Sequence, residues 1–397
     1  MKKKLRVAHI ILEYHPIVGG AQRQLALLAP HLRAQQVENV VLTRRYPSLS
    51  AFERIDDVPV YRLPAPGPKA IASLLFTLAA LWQLRRLQPD VLHAYSLFSP
   101  LTTAVVARRL IHAPVVVKVL RGGQLGDVQR MQARSSGPRR LESFRDQVAA
   151  FIAISQEIDA ELASIGVPPA RRPFIPNGVD TERFRPPDPA EKTHLRAELA
   201  RQFMPGEQLT GPLAVYTGRL VSEKRLDLLI SAWQTVRDRI PEAVLWIIGS
   251  GQQADRLRQA AGAGVYFTGR QEDVLSFLQA ADLFVLPSAT EGLSNALLEA
   301  LSAGLACVVT AVGGAPDVIT HRQDGWLVPP NDVQALEAGL LHLLDAPAER
   351  RQIGQAARAC MVAEYALPTV AGRLRQLYED ALAGNPAAVV KPQVNEL

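Results

Sequence analysis

The chain has 397 residues, 48% of them apolar, which is more than one ordinary core needs and points to two domains. A formal charge of +6 favours an anionic partner: a phosphorylated small molecule, a phospholipid surface or nucleic acid. Nucleic acid is set aside, because aromatic residues make up only 6% and none forms a stacking row among basic clusters.

The opening MKKKLRVAHIIL has the basic start of a secretory leader, but Glu13 and His15 stand where a cleavage region would lie. It reads as a first buried strand. AQRQLALLAPHL, after Gly20, has helical periodicity, and Pro30 should kink or end it. NVVLT and VPVYRL follow as strands. IASLLFTLAALWQL, from Ile71 to Leu84, falls short of the roughly 20 residues of a bilayer span and runs into Arg85 and Arg86, so it reads as the buried helix of a soluble domain. Then come the strands DVLHAY, PVVVKVL and AAFIAIS, and the helix SQEIDAELASIG with Ser155 as its cap.

Residues 181–212 carry five prolines and many charges, the composition of a linker with one short helix. The strand and helix rhythm resumes with LAVYTG, AVLWIIG, GVYFTG, DLFVLPS and ACVVTA. After Val328 only helical patterns remain. Pro368 breaks them before TVAGRLRQLYEDALAG, which is expected to pack back on the first domain. The fold class is therefore α/β, with two doubly wound Rossmann-like domains facing across a cleft and ligands at the strand carboxyl ends. The expected boundaries are 1–183 for the first domain, 184–367 for the second, 368–384 for the returning helix and 385–397 for a flexible tail. Cys307 lies in a strand-like run and Cys360 in a helical pattern, which suggests neither a disulfide framework nor a metal site and fits a reducing, cytoplasmic setting.

ATEGLSNALLEALSAGL places Glu291 just before a helix and Glu299 inside it. Ser294 is a good N-cap; Asn295, Glu299 and Ser302 then share one face, with Leu297, Leu298 and Leu301 on the buried side. Free backbone N–H groups at a helix start suit a phosphate beside Gly292, Leu293 and Ser294. Carboxylates repel phosphates, so the two glutamates are better matched to hydroxyl groups flanking it, as in a diphosphate with a sugar at each end. Chance spacing on a solvated helix face is the plainer alternative. In TGRLVSEKRLDLL, Arg219 follows a strand and Lys224 opens a helix, where charge-assisted contacts would stabilise a departing nucleoside diphosphate. The competing reading pairs Arg219 and Lys224 with Glu223 and Asp227 at the surface.

The second half resembles the retaining glycosyltransferases of family 4, which have the two-domain GT-B fold. The residues that carry the resemblance are Gly218-Arg219-Leu220 with Lys224, Gly249-Ser250-Gly251, Phe267-Thr268-Gly269, Pro287-Ser288, Glu291-Gly292-Leu293-Ser294-Asn295 with Glu299, and Val312-Gly313-Gly314. Gly19-Gly20-Ala21, Pro89-Asp90-Val91-Leu92-His93-Ala94 and Pro176-Asn177-Gly178-Val179-Asp180 extend it over nearly the whole chain. The resemblance implies a nucleoside-diphosphate sugar donor such as a UDP- or GDP-sugar, retention of anomeric configuration, and no metal or other cofactor. It implies that Arg219 and Lys224 hold the diphosphate, Glu299 the ribose and Glu291 the donor sugar. By the same resemblance the amides of Gly292 to Asn295, with Gly218 and Gly249, would complete the donor site, and the segment around Arg270 would frame the base. Gly19 and Gly20 match the family loop that approaches the donor phosphate. The expected acceptor is a glycan or lipid-linked glycan.

Leu120-Arg121-Gly122-Gly123 stands where family members commonly carry histidine and glycine, and Gln22 replaces a usual glutamate. His93, Arg121 and Gly122 are the acceptor-side candidates, with a hydrogen-bonded strand histidine as the plain reading of His93. Arg121, Arg130, Arg134, Arg139, Arg140 and Arg145 face three acids over the same stretch, which suits an anionic acceptor or a peripheral contact with the inner face of a membrane. Gly249-Ser250-Gly251-Gln252-Gln253-Ala254 also satisfies the dinucleotide fingerprint, making an NAD(P)-dependent oxidoreductase a formal rival. A sugar-nucleotide epimerase of related fold is a nearer one, and a catalytically silent binding module a third.

Overall fold

The computed structural model describes residues 4–17, 19–123 and 125–385. The expected flexible tail, Asn385 apart, lies outside the described residues, as do the first three residues of the basic start. The chain divides into two compact units, one formed by the segment up to Gly178 together with the segment from Leu367 onward, the other by Val179–Ala366.

The first unit holds β1 (Leu5–Ile10), β2 (Val37–Arg44), β3 (Phe52–Ile55), β4 (Val58–Leu63), β5 (Val91–Tyr95), β6 (Val115–Lys118) and β7 (Ala150–Ile152). Their order is β3-β4-β2-β1-β5-β6-β7, parallel except for the β3–β4 hairpin. The short β3 is absent from the sequence reading. Asp56 and Asp57 both take positive φ, 47° and 64°, the tight hairpin turn that aspartate signals only weakly and glycine would have announced. Leu5 and Val7 share a core with Leu367, Val370, Leu374 and Tyr378, so the helix Leu367–Ala383 belongs to this unit.

Two local readings need correction: Pro30 does not end its helix, and the long apolar helix is not wholly buried. The first helix runs through Pro30, from Gly20 to Ala34, with the proline exposed and Leu25, Leu28 and Leu32 buried on the other side. The apolar helix Lys69–Leu87 is not wholly buried: Phe76, Ala80 and Leu84 are inside, but Ile71, Leu74, Leu78 and Trp82 are exposed. The composition reads as that of a buried helix, but only one side has a core to meet.

The second unit holds β8 (Leu213–Thr217), β9 (Val244–Ile248), β10 (Val265–Gly269), β11 (Leu283–Leu286), β12 (Ala306–Thr310) and β13 (Trp326–Val328) in the order β10-β9-β8-β11-β12-β13, all parallel. This is the doubly wound order with its switch point between β8 and β11. Val179 N–H donates to the Tyr365 carbonyl at 2.8 Å, and Val179 bridges Ala366. The division thus falls five residues before the expected 183/184, because this pairing ties Val179 to the end of the second unit; Phe184 is buried there as well, and its carbonyl accepts from Ser302 Oγ at 2.8 Å and Arg358 Nη1 at 3.0 Å. The linker is more ordered than its prolines suggested. Asp188 caps a helix over Pro189–Phe203, and Lys192 and Arg196 hold Asp282 at 2.7 and 2.8 Å.

Candidate functional site

The chain leaves β8 through Gly218-Arg219 and β11 through Pro287-Ser288, the two strand ends that flank the switch point. Glycines let the neighbouring turns approach one another here. A Cβ on Gly249 would lie 1.8 Å from the Gly218 carbonyl oxygen, and one on Gly251 2.3 Å from that of Leu220. Gly249 N–H donates to Gly269 O, Gly218 N–H to Ile248 O and Leu220 N–H to Ser250 O, at 2.8 to 3.0 Å. Gly249 therefore supports the turn carrying Arg219, with both its amide and its open face already used by protein. The same contacts account for the glycines of the apparent dinucleotide fingerprint, which follows the unit's second strand rather than its first. Tyr216, a residue the sequence reading missed, donates from Oη to the Arg219 carbonyl at 2.9 Å. Burial, and then the Glu291 carboxylate, push the Tyr216 hydroxyl's pKa upward, so it stays a donor.

Lys224 ends a single 3-10 turn, Ser222–Lys224, and its Nζ donates to Glu291 Oε1. Ser288 Oγ donates to the same oxygen at 2.7 Å. The Lys224 and Glu291 side chains are only 15% and 12% exposed, so this is close to a buried ion pair rather than a surface one. Asp227 is taken by Arg225 at 3.1 Å, so Lys224 is paired with the distant Glu291 and not with Asp227. The Glu223 carbonyl accepts from Ala289 N–H at 2.8 Å, stitching the two turns together. Arg219 and Arg270 are exposed, Arg270 directly after the edge strand β10. Ser288 was missed as a functional residue; its signal was its place at the strand end, three residues before Glu291.

The backbone from Glu291 to Ser294 rests on the turn after β12. Gly313 has φ 57° and a Cβ there would lie 2.5 Å from the Glu291 carbonyl, while Gly314 N–H donates to Gly292 O at 2.6 Å. Ser294 Oγ accepts from Leu297 N–H at 3.4 Å and caps the helix Asn295–Ser302, as its type predicts. The helix is buried on most sides. Glu299 is 4% exposed, which removes the plain reading of a solvated polar face. The Ser302 hydroxyl is used within the unit: it donates to Phe184 O at 2.8 Å and accepts from Arg358 at 2.9 Å.

The remaining candidates belong to the first unit. Gly19 N–H donates to Gln22 Oε1 at 3.1 Å, so the residue in place of the usual glutamate caps the helix start, whose first turn holds no acid. His93 lies within β5, wholly buried, with Nδ1 sharing a 2.8 Å hydrogen bond with Tyr378 Oη and its ring stacked on Tyr95 at 4.6 Å. Burial drives its pKa well below the usual histidine value. A core position excludes acceptor contact, and the plain reading of His93 holds. Arg121 is exposed, but Gly122 and Gly123 press against Glu157 and Glu161: a Cβ on Gly122 would lie 2.8 Å from Glu157 Oε2, and Gly123 N–H donates to Glu161 Oε1 at 2.7 Å. The basic stretch is partly spent within the unit. Arg130 and Arg134 lie over the Phe98 ring, Arg140 donates to Thr102, and Arg145 pairs with Asp146 at 3.1 Å.

Two family models match the chain, one described as Glycosyltransferase Family 4 over residues 18–183 and one as Glycosyl transferases group 1 over residues 211–346. A GDP-mannose-dependent monoacylated alpha-(1-6)-phosphatidylinositol monomannoside mannosyltransferase from Corynebacterium glutamicum is 28% identical over 382 residues, 92% of this chain and 96% of that one. A GDP-mannose-dependent alpha-(1-6)-phosphatidylinositol monomannoside mannosyltransferase from Mycobacterium tuberculosis is 31% identical over 73% of this chain and 75% of its own length. Among solved structures, HepE of Anabaena in complex with UDP superposes with a TM-score of 0.78 at 17% identity, covering 95% of this chain and all of that one, and shares the GT-B fold. The epimerase and oxidoreductase readings fall with these matches. By sequence along both units and by fold, the chain belongs to the family 4 glycosyltransferases of group 1.

Proposed function

We propose that the protein moves a glycosyl unit from a nucleoside-diphosphate sugar to an acceptor hydroxyl, with retention of anomeric configuration and without a metal ion. The observation that carries this reading is the Lys224–Glu291–Ser288 cluster at the switch point of the second sheet, next to the capped start of helix Asn295–Ser302. Lys224 and the exposed Arg219 supply the positive charge that a leaving diphosphate needs, in place of a metal. The amides of Gly292 to Asn295 add oriented donors. Glu291, held by Lys224 and Ser288, is poised for donor-sugar hydroxyls, and the buried Glu299 for the ribose; Arg270 stands near the base. As the glycosidic bond lengthens, charge builds on the phosphate, and the lysine between carboxylate and phosphate senses both partners. The first turn of helix Gly20–Ala34, free of acids, is a second anion-binding end.

The names of the relatives support a GDP- or UDP-sugar donor and a lipid-linked or glycan acceptor; a resting place on the inner face of a membrane is part of the same proposal, since a lipid-linked acceptor would be met there. The test is turnover with a panel of GDP- and UDP-sugars and a phosphatidylinositol mannoside acceptor, with and without EDTA, the product's anomeric configuration read by NMR. Transfer with retention in EDTA is expected. Inversion, or activity restored only by a divalent ion, overturns the finer reading.

A further inference from the structure

The helix Lys69–Leu87 has no charged residue between Ala70 and Leu84 and is apolar on both sides. Phe76, Ala80 and Leu84 are fully buried and fix it to its unit, although its length and composition alone would pass for a membrane span. On the other side Ile71, Leu74, Leu75, Leu78 and Trp82 are between 37% and 60% exposed. Steps of three and four residues make them one stripe, about 16 Å long at helical rise. The next helix, Ser99–Ile111, runs parallel beside it, since Ser73 meets Ser99 at 2.8 Å and Thr77 meets Thr103 at 2.9 Å. It adds the exposed Val106 and Leu110. Parallel packing brings both C-terminal ends level, and there Arg85, Arg86, Arg108 and Arg109 are all exposed. Arg86 stacks on Trp82 at 4.2 Å. Neither helix contains an aspartate or glutamate.

We propose that this face is a docking surface for an anionic phospholipid bilayer, with the stripe seated among acyl chains and the arginines at the lipid phosphates. Arginines at helix ends are favourable in any protein. What the helix dipole does not explain is an apolar stripe turned outward beside a basic end with no acid. A soluble surface would not leave it so. A second copy would bring the same acid-free basic ends with no carboxylate to meet them, whereas a leaflet supplies both an apolar phase and negative charge. Trp82, with an apolar ring and one N–H donor, suits the boundary between them. This surface takes the role that the sequence suggested for the stretch from Arg121 to Arg145, and it is argued apart from the donor site, so that its failure leaves the proposed reaction standing.

Co-sedimentation of the full chain with phosphatidylcholine vesicles, with and without phosphatidylglycerol, tests the proposal. Binding is expected only with the anionic lipid and should weaken with salt. Leu74→Asn with Leu78→Asn should reduce partition about tenfold or more, given the worth of two half-buried leucines, at unchanged melting temperature. Trp82 emission should shift to the blue on binding, and Trp82→Phe should abolish the shift while the protein still sediments. No binding to anionic vesicles overturns the proposal. So does leucine-variant binding equal to the parent's, or a stripe substitution that changes only the oligomeric state in sedimentation velocity. Arg139→Glu with Arg140→Glu serves as the rival arm: loss of binding there, with none in the leucine variant, would move the surface.

Discussion

Replacing Lys224 with methionine would strand a carboxylate. Glu291 would keep one of its two donors, Ser288 Oγ at 2.7 Å, in a place where its side chain is 12% exposed. Removing one member of a fully buried pair costs about 3–5 kcal/mol; the remaining hydroxyl bond and the partial access to water reduce this to about 2–3 kcal/mol. For a unit the size of Val179–Ala366 that corresponds to a fall of about 4–12 °C in melting temperature. Glu291→Gln in the same background removes the stranded charge, so the double variant should recover much of the loss. The assay is a double-mutant cycle on thermal melting, with turnover measured in parallel; Lys224→Met should lower turnover about a hundredfold or more, the scale of losing one transition-state donor. Single variants within about 0.5 kcal/mol of the parent, adding without coupling, are the behaviour of a surface pair and would rule out a buried one.

Gly249→Ala sets a methyl 1.8 Å from the Gly218 carbonyl at φ 148° and should cost about 3 kcal/mol or more, whereas Gly262→Ala, with nothing within 4 Å, should be neutral or slightly stabilising; equal melting temperatures contradict the spacer role. Acid should weaken the first unit. Burial holds His9 down to about 4 and His93 well below its usual value, so both are neutral when folded, while the unfolded chain takes up protons below about pH 6.5. Stability therefore falls as pH drops from about 6.5 toward 4, by about 1.4 kcal/mol per pH unit for each histidine. His93→Phe should remove one histidine's share of that slope; identical slopes in urea unfolding between pH 6 and 4.5 contradict it.

The alternation of strands and helices made both sheets legible apart from the short β3 and β13, and with them the strand ends near which Arg219, Lys224 and Glu291 lie. Pairing was less legible. Periodicity tells which face a side chain takes, not which atom it meets, so the Lys224–Glu291 contact across 67 positions and the support from Ser288 and Tyr216 needed coordinates. His93 shows the same limit: a histidine in an apolar strand looks available until a tyrosine 285 positions away covers it. The glycines after β9 matched a cofactor motif because close backbone approach requires the same residue as a phosphate turn does. In helix Lys69–Leu87 the composition pointed inward, and only the placement of Phe76 and Ala80 in the core revealed how many of the other apolar side chains face out.

The Lys224–Glu291 cluster and the capped helix beside it are proposed to receive a nucleoside diphosphate. Isothermal titration of GDP and UDP in EDTA, on the parent chain and on Lys224→Ala and Glu299→Ala, addresses this directly. One nucleotide should bind per chain, and each substitution should weaken it about tenfold or more, as expected for loss of a charge-assisted contact. If neither nucleotide binds the parent, or affinity is equal in all three proteins, these residues do not form a diphosphate site.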